Sequence, residues 1–158
     1  MALPTTIEPI NHYNKPSEVY LSTIPNKWVR LPIDVVIGLD GDKVIAESKI
    51  LDGVAVFERI SRKPFEINFE FTCREQDESG NYVFPQDTIQ ELVQTVWQKD
   101  QVIQLKNTFL NSLGISNIIL QPITFTTIRG NTNVICSIKA KESPDSNNSF
   151  ATTLIIPL

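Results

Sequence analysis

The sequence predicts a mainly β protein, a barrel or sandwich of about eight mostly antiparallel strands carrying one packed amphipathic α-helix. Three observations predict it. Short β-branched and aromatic runs recur along the chain, separated by Asp-Gly, Gly-Asn and proline signals. One stretch alternates strictly, with Phe65, Ile67, Phe69 and Phe71 set against Glu66, Asn68, Glu70 and Thr72. Only one convincing helical stripe occurs, so the regular strand–helix alternation of a parallel sheet is absent.

Residues 1–27 read as an extended arm, because Pro4, Pro9, Pro16 and Pro25 fix φ and push the preceding residues toward extended geometry. The arm carries Ile7, Ile10, Tyr13, Val19, Tyr20, Leu21 and Ile24, which a solvated tail has no use for. It therefore packs on something, either its own domain or a neighbour. A single domain is expected over residues 28–158. It opens with a strand run from Trp28 to Leu39, in which Pro32 marks an edge or a bulge. Asp40-Gly41 reads as a hairpin turn into a return strand from Lys43 to Ile50, and Asp52-Gly53 as another turn. Val54 to Ile60 leads to Pro64 and the alternating strand at 65–71. Gln76 to Asn81 is a polar loop tip.

The helix is expected from Asp87 to about Asp100, with Asp87 as cap and Gln90 completing a capping box. Ile89, Leu92, Val93, Val96 and Trp97 form its single apolar stripe, which reads as a face covering a sheet. Gln101 to Thr108 reads as a short strand, and a helical turn at Phe109 to Leu113 ends at Gly114. Ile115 to Arg129 is a strand interrupted by Pro122. Gly130-Asn131 turns the chain into Asn133 to Ser143, and Thr152 to Leu158 closes it with an apolar strand.

With 158 residues the chain has the size of one domain, and its 41% hydrophobic and 20% charged content is that of a globular protein. The formal net charge of -4 and the short, mixed run Arg59, Arg62, Lys63 argue against nucleic acid as a principal partner; the run reads as a solvated loop. No segment approaches the roughly 20 apolar residues of a membrane helix. The N-terminal residues lack a secretory pattern, so synthesis in the cytoplasm is expected. Cys73 and Cys136 show no metal spacing and read as two free, buried thiols.

No catalytic pattern emerges. The single histidine, His12, has no ligand or triad partner nearby in sequence. Glu66 and Glu70 share the polar face of one strand, where both simply stay ionised. Gly38, Gly41, Gly53 and Gly130 form no phosphate loop, and Asp40 and Asp42 lack the other ligands of a calcium loop. The reading is therefore non-enzymatic, with no cofactor and no metal.

Three segments carry a resemblance: VIAESKILDGVAVFERISRKPFEINFEF (44–71), FPQDTIQELVQTVWQ (84–98) and VIQLKNTFLNSLGISNIIL (102–120). In this order they resemble the tail-tube family of contractile phage tails and phage-like injection systems, closest to its small tube-initiator or baseplate proteins. The resemblance spans about residues 28–143 and is a pattern of elements without an invariant motif. It implies a ring-like homo-oligomer, commonly a hexamer, that pairs sheets around a channel and contacts neighbouring tail or baseplate proteins. It also implies final assembly into a virion or phage-like particle. Residues 43–60 correspond to the family's hairpin, which lies against the next subunit or ring. Tyr13 and Tyr20 in the arm, and Ile45 and Val56 in the hairpin, are the expected assembly contacts. The competing expectation is a small β-barrel module that binds an apolar ligand or a glycan and stays monomeric.

Overall fold

The computed structural model describes residues 3–6, 15–49, 55–98, 101–143 and 151–157. It is mainly β, as the patterning predicts. The strands are β1 (Thr5–Thr6), β2 (Tyr20–Ile24), β3 (Lys27–Arg30), β4 (Val36–Asp40), β5 (Lys43–Lys49), β6 (Ala55–Arg62) and β7 (Glu66–Cys73). After them come β8 (Glu75–Gln76), β9 (Tyr82–Val83), β10 (Ile103–Lys106), β11 (Asn117–Thr127), β12 (Val134–Glu142) and β13 (Ala151–Pro157). Helix α1 begins at Gln86–Glu91 and continues through Leu92–Trp97, and α2 is Thr108–Ser112.

Eight strands form one curled antiparallel sheet, a half-barrel, in the order β1-β3-β2-β10-β11-β12-β7-β4. Its core follows from the period-two rule. Ile67, Phe69, Phe71 and Cys73 of β7 are buried beside Val134, Cys136, Ile138 and Ala140 of β12. Leu21, Val29, Leu31, Ile103 and Ile118 extend that core across the sheet, and Leu92 and Val96 enter it from α1. Each such large side chain contributes about 2 kcal/mol by leaving water.

Helix α1 packs through the expected stripe, but its start and its winding differ from the sequence reading. Pro85 is the N-cap, and no side chain of the helix itself caps the first turn. Glu75, from β8, does so instead: its Oε1 accepts from the backbone N–H of Thr88 at 2.8 Å and from Thr88 Oγ1 at 2.7 Å. The second half is wound as a π-helix, with Gln98 N donating to Val93 O at 3.0 Å, five residues back. In α2, Asn107 Oδ1 accepts from Leu110 N at 3.0 Å, and Gly114 ends the turn at φ 81.

Two boundary expectations are corrected. The Asp40-Gly41 signal is not a hairpin: β4 pairs with β7, while β5 pairs with β6. Asp40 pairs with Glu66 and Lys43 with Arg62, so the chain advances three residues on one side and four on the other. That extra residue is a bulge, and β5 and β6 carry β4 and β7 onward past it. Strand β13 likewise follows β12, after residues 143–150. The small sheet β13-β6-β5 therefore repeats the order β12-β7-β4, as a ribbon of the strands that follow or precede those three in the chain. The sequence cannot show this, because a break with a non-local partner looks like a tight turn.

The second correction concerns residues 1–27. Strand β2 is no arm: it lies inside the main sheet between β3 and β10. Val19 and Leu21 are fully buried, and Asn107 Nδ2 donates to the carbonyls of Pro16 and Glu18 at 2.8 and 2.9 Å. Residues 15–27 thus belong to the domain. The flanking prolines 16 and 25 bound the strand and do not prevent it. Pro122, by contrast, behaves as its position predicts, since the β11–β12 register shifts between Leu120 and Ile123.

Candidate functional site

Two features of the fold offer surface for other molecules: the open edges of the sheet and the ribbon. Strand β4 is the last strand of the main sheet, so one row of its backbone groups has no strand partner among the described residues. Its inner residues Ile37 and Leu39 pack on the core, while Val36 is 67% exposed. The second edge is on β11. That strand pairs with β12 along its length but with β10 only at Asn117 and Ile118. Beyond them, Trp97 Nε1 donates to the Gln121 carbonyl at 2.8 Å, and Pro122 has no N–H to offer. Both blunt the strand locally. Residues 123–127 lie past that guarded point.

The ribbon is joined to the half-barrel at one node. Glu142, with 1% of its side chain exposed, meets Arg62 in a two-pronged ion pair, Nη1–Oε1 at 2.5 Å and Nη2–Oε2 at 3.1 Å. Its Oε1 also accepts from Phe65 N at 3.1 Å, and its own N–H donates to Phe65 O at 2.9 Å. The Arg62 guanidinium lies 4.8 Å from the Phe65 ring centroid. Gly41 lies against the same ring, where a Cβ would come within 2.6 Å of Phe65 Cε1. Lys63 N donates to Asp42 O, and Lys63 Nζ pairs with Asp42 Oδ2 at 3.3 Å. Arg62 is therefore a structural partner in β6, and the solvated-loop reading is corrected for it; Lys63 lies between β6 and β7 and stays exposed, in a surface pair with Asp42, as that reading has it.

The four expected contacts fare differently. Tyr20 is 8% exposed in β2, pairs in register with Arg30 and Lys106, and donates from its hydroxyl to Glu18 Oε2 at 3.3 Å. Burial first, and Glu18 second, raise its pKa above the usual 10.0. It packs within its own domain. Tyr13, like His12, lies outside the described residues. Ile45 pairs with Ile60, and Val56 with Ile156 and Lys49. Ile60 and Val56 are four residues apart on β6, so Ile45 and Val56 fall on one face of the ribbon by register.

Cys73 and Cys136 are free and buried on adjacent strands, in register with Val134 and Phe71 rather than with each other. Desolvation pushes the Cys73 thiol up to about 12 and raises Cys136 as well, with the nearby Cys73 adding to the latter. These are inert thiols at neutral pH. Glu66 and Glu70 are exposed, as read from the alternation. A mixed groove of about 620 Å³ opens where Arg30, Asp34, Arg74, Asp77, Tyr82 and Thr88 converge. Among the described residues no cluster of His, Cys, Asp and Glu could hold a metal, and no helix is long and apolar enough to cross a membrane.

Sequence reasoning missed the parts of Glu142 and Trp97. Glu142 ends an alternating strand on its buried phase, where a carboxylate demands a cation. That phase was the available signal. Trp97 gave only a core signal, because its acceptor, the Gln121 carbonyl, lies 24 residues away in the sequence. Comparison with known families places the chain in one of them: a domain of unknown function (DUF6046) matches residues 30–151, and the chain belongs to that family. No curated protein matches it.

Proposed function

We propose that the chain is a structural subunit of a phage tail or phage-like contractile injection system, of tube-initiator or baseplate type. It assembles with copies of itself through β-sheet pairing and acts without catalysis. The observation that carries this reading is the pair of open edges on β4 and β11, separated by an even number of strands. In the order β11-β12-β7-β4 the strand directions alternate, so β4 and β11 run oppositely. When copies are related by rotation, β4 of one then meets β11 of the next in antiparallel register, and the ladder continues. A head-to-tail contact of this kind, where the rotation closes, makes a ring and covers both of these edges. The ribbon strands β5 and β6, which hold Ile45 and Val56, are the further contact with a neighbouring subunit or tail protein. The resemblance of residues 28–143 to tail-tube proteins gives the ring its context, a virion or particle assembled after cytoplasmic synthesis.

The mixed groove favours a second reading, a monomeric module for a small ligand or glycan, since its volume lies in the usual range for such sites. Light scattering separates the two. The native chain should form a closed oligomer, visible as rings by electron microscopy. The double substitution Val36→Lys and Thr126→Lys should return it to monomer with its β spectrum intact. A native chain that remains monomeric at high concentration would remove self-assembly and leave the groove.

A further inference from the structure

We infer that the Glu142 carboxylate is the latch that sets the ribbon on the half-barrel, and that the ribbon opens as a separate unit when the latch is lost. This holds whatever the assembled form is. On the β12 side, pairing with β6 and β7 stops at Lys141–Glu66 and resumes only at Ala151–Ser61. In that gap the side chain of Glu142 replaces the backbone ladder: it takes the N–H of Phe65 and both arms of Arg62. On the β4 side, the ring of Phe65 is wedged against Gly41, where no side chain would fit without the ring moving. Among the described residues, the β4–β5 and β6–β7 connections thus meet at this carboxylate and this ring, with the Lys63–Asp42 contacts beside them. Beyond them, β5, β6 and β13 make their substantial contacts only with one another among the described residues. A buried carboxylate needs both its cation and its hydrogen bonds, so loosening any partner frees the junction as a whole.

Hydrogen exchange on the full chain, diluted to the monomer, tests this. Glu142→Gln keeps an acceptor for Phe65 N but removes the charge that holds Arg62. Amides of β5, β6 and β13 should then exchange at least tenfold faster, while those of Ile67 to Phe71 and Cys136 to Ala140 stay within twofold. Gly41→Ala attacks the same junction through the Phe65 ring without touching a charge and should give the same division. It also serves as the readable variant if Glu142→Gln fails to fold. Equal acceleration of ribbon and half-barrel would overturn the latch, since it would mark a general loss of stability. So would unchanged exchange in the ribbon. Both readouts concern the monomer, so failure of the ring proposal leaves this test intact.

Discussion

The half-barrel and the ribbon are built from the same three strand paths, yet they are held together by different means. In the half-barrel, β12, β7 and β4 lie over a dry core into which α1 packs. Beyond them the same paths continue as β13, β6 and β5, paired along their backbones, with the Arg62–Glu142 and Lys63–Asp42 pairs at their root. A sheet becomes a stable domain by burying a face, whereas a short ribbon alone is marginal in water. The difference teaches that strand continuity does not carry stability along with it. What crosses the bulge is direction, and Glu142 fixes it.

The comparison is sharpest where the core is deepest. Phe69 is fully buried at the centre of β7, and Phe69→Ala should cost about 3–5 kcal/mol in denaturant unfolding. Because the ribbon is rooted on that strand, both regions should unfold together. A ribbon that keeps its protection in this variant would break the dependence argued here. Tyr20→Ala should behave as a smaller core deletion, about 2–4 kcal/mol, because its side chain is enclosed by its own domain. An unchanged melting point with weakened assembly would return Tyr20 to the role the sequence first gave it. Asn107→Ala removes the α2 cap and the donor to two carbonyls of the N-terminal segment, a loss of about 2 kcal/mol. Proteolysis near residues 15–18 should accelerate before the sheet itself gives way.

The smallest effect at neutral pH belongs to the buried thiols, whose influence emerges only in alkali. The folded pKa of Cys73 is raised above its ordinary 9.0, so below about pH 9 the thiol is protonated in both states and has no effect on stability with pH. Between 9 and about 12 the unfolded chain releases the proton and the folded one retains it, so stability falls as pH rises. Melting followed across this window should show that decline; Cys73→Ala should lessen it, and the buried Cys136, whose pKa is also raised, should supply what remains. The ribbon, which carries no cysteine, should follow only through its root.

Much of the fold is legible from local pattern. The alternation at 65–71, the apolar stripe of α1, Gly114 and the bulge at Pro122 are each decided by neighbours within a turn or two, and each is where the pattern puts it. The failures share one cause. Tyr20–Ile24 is a central strand because β10, some eighty residues later, supplies its partner. Asp40-Gly41 has turn chemistry, but Glu66 and Arg62 decide that the chain goes straight on. Asp87 has the right type for a cap, and Glu75 takes the work from another element. Of the candidate site, the ribbon residues were legible as apolar positions in a paired segment, while the edges were not, since an edge exists only by what fails to lie beside it.

The place of β2 also fixes an order of events in time. The strand leaves the ribosome some eighty residues before β10, which flanks it in the sheet, and the segment before it is pinned by Asn107. Leu3 N–H similarly donates to Glu91, 88 positions away. Val19 and Leu21 must therefore wait for their β10 cover until some eighty further residues have been made. Such distant pairings slow folding and prolong the interval in which an unpaired strand can meet a wrong partner. For this protein the hazard of misassembly is greatest during synthesis, before β10 arrives.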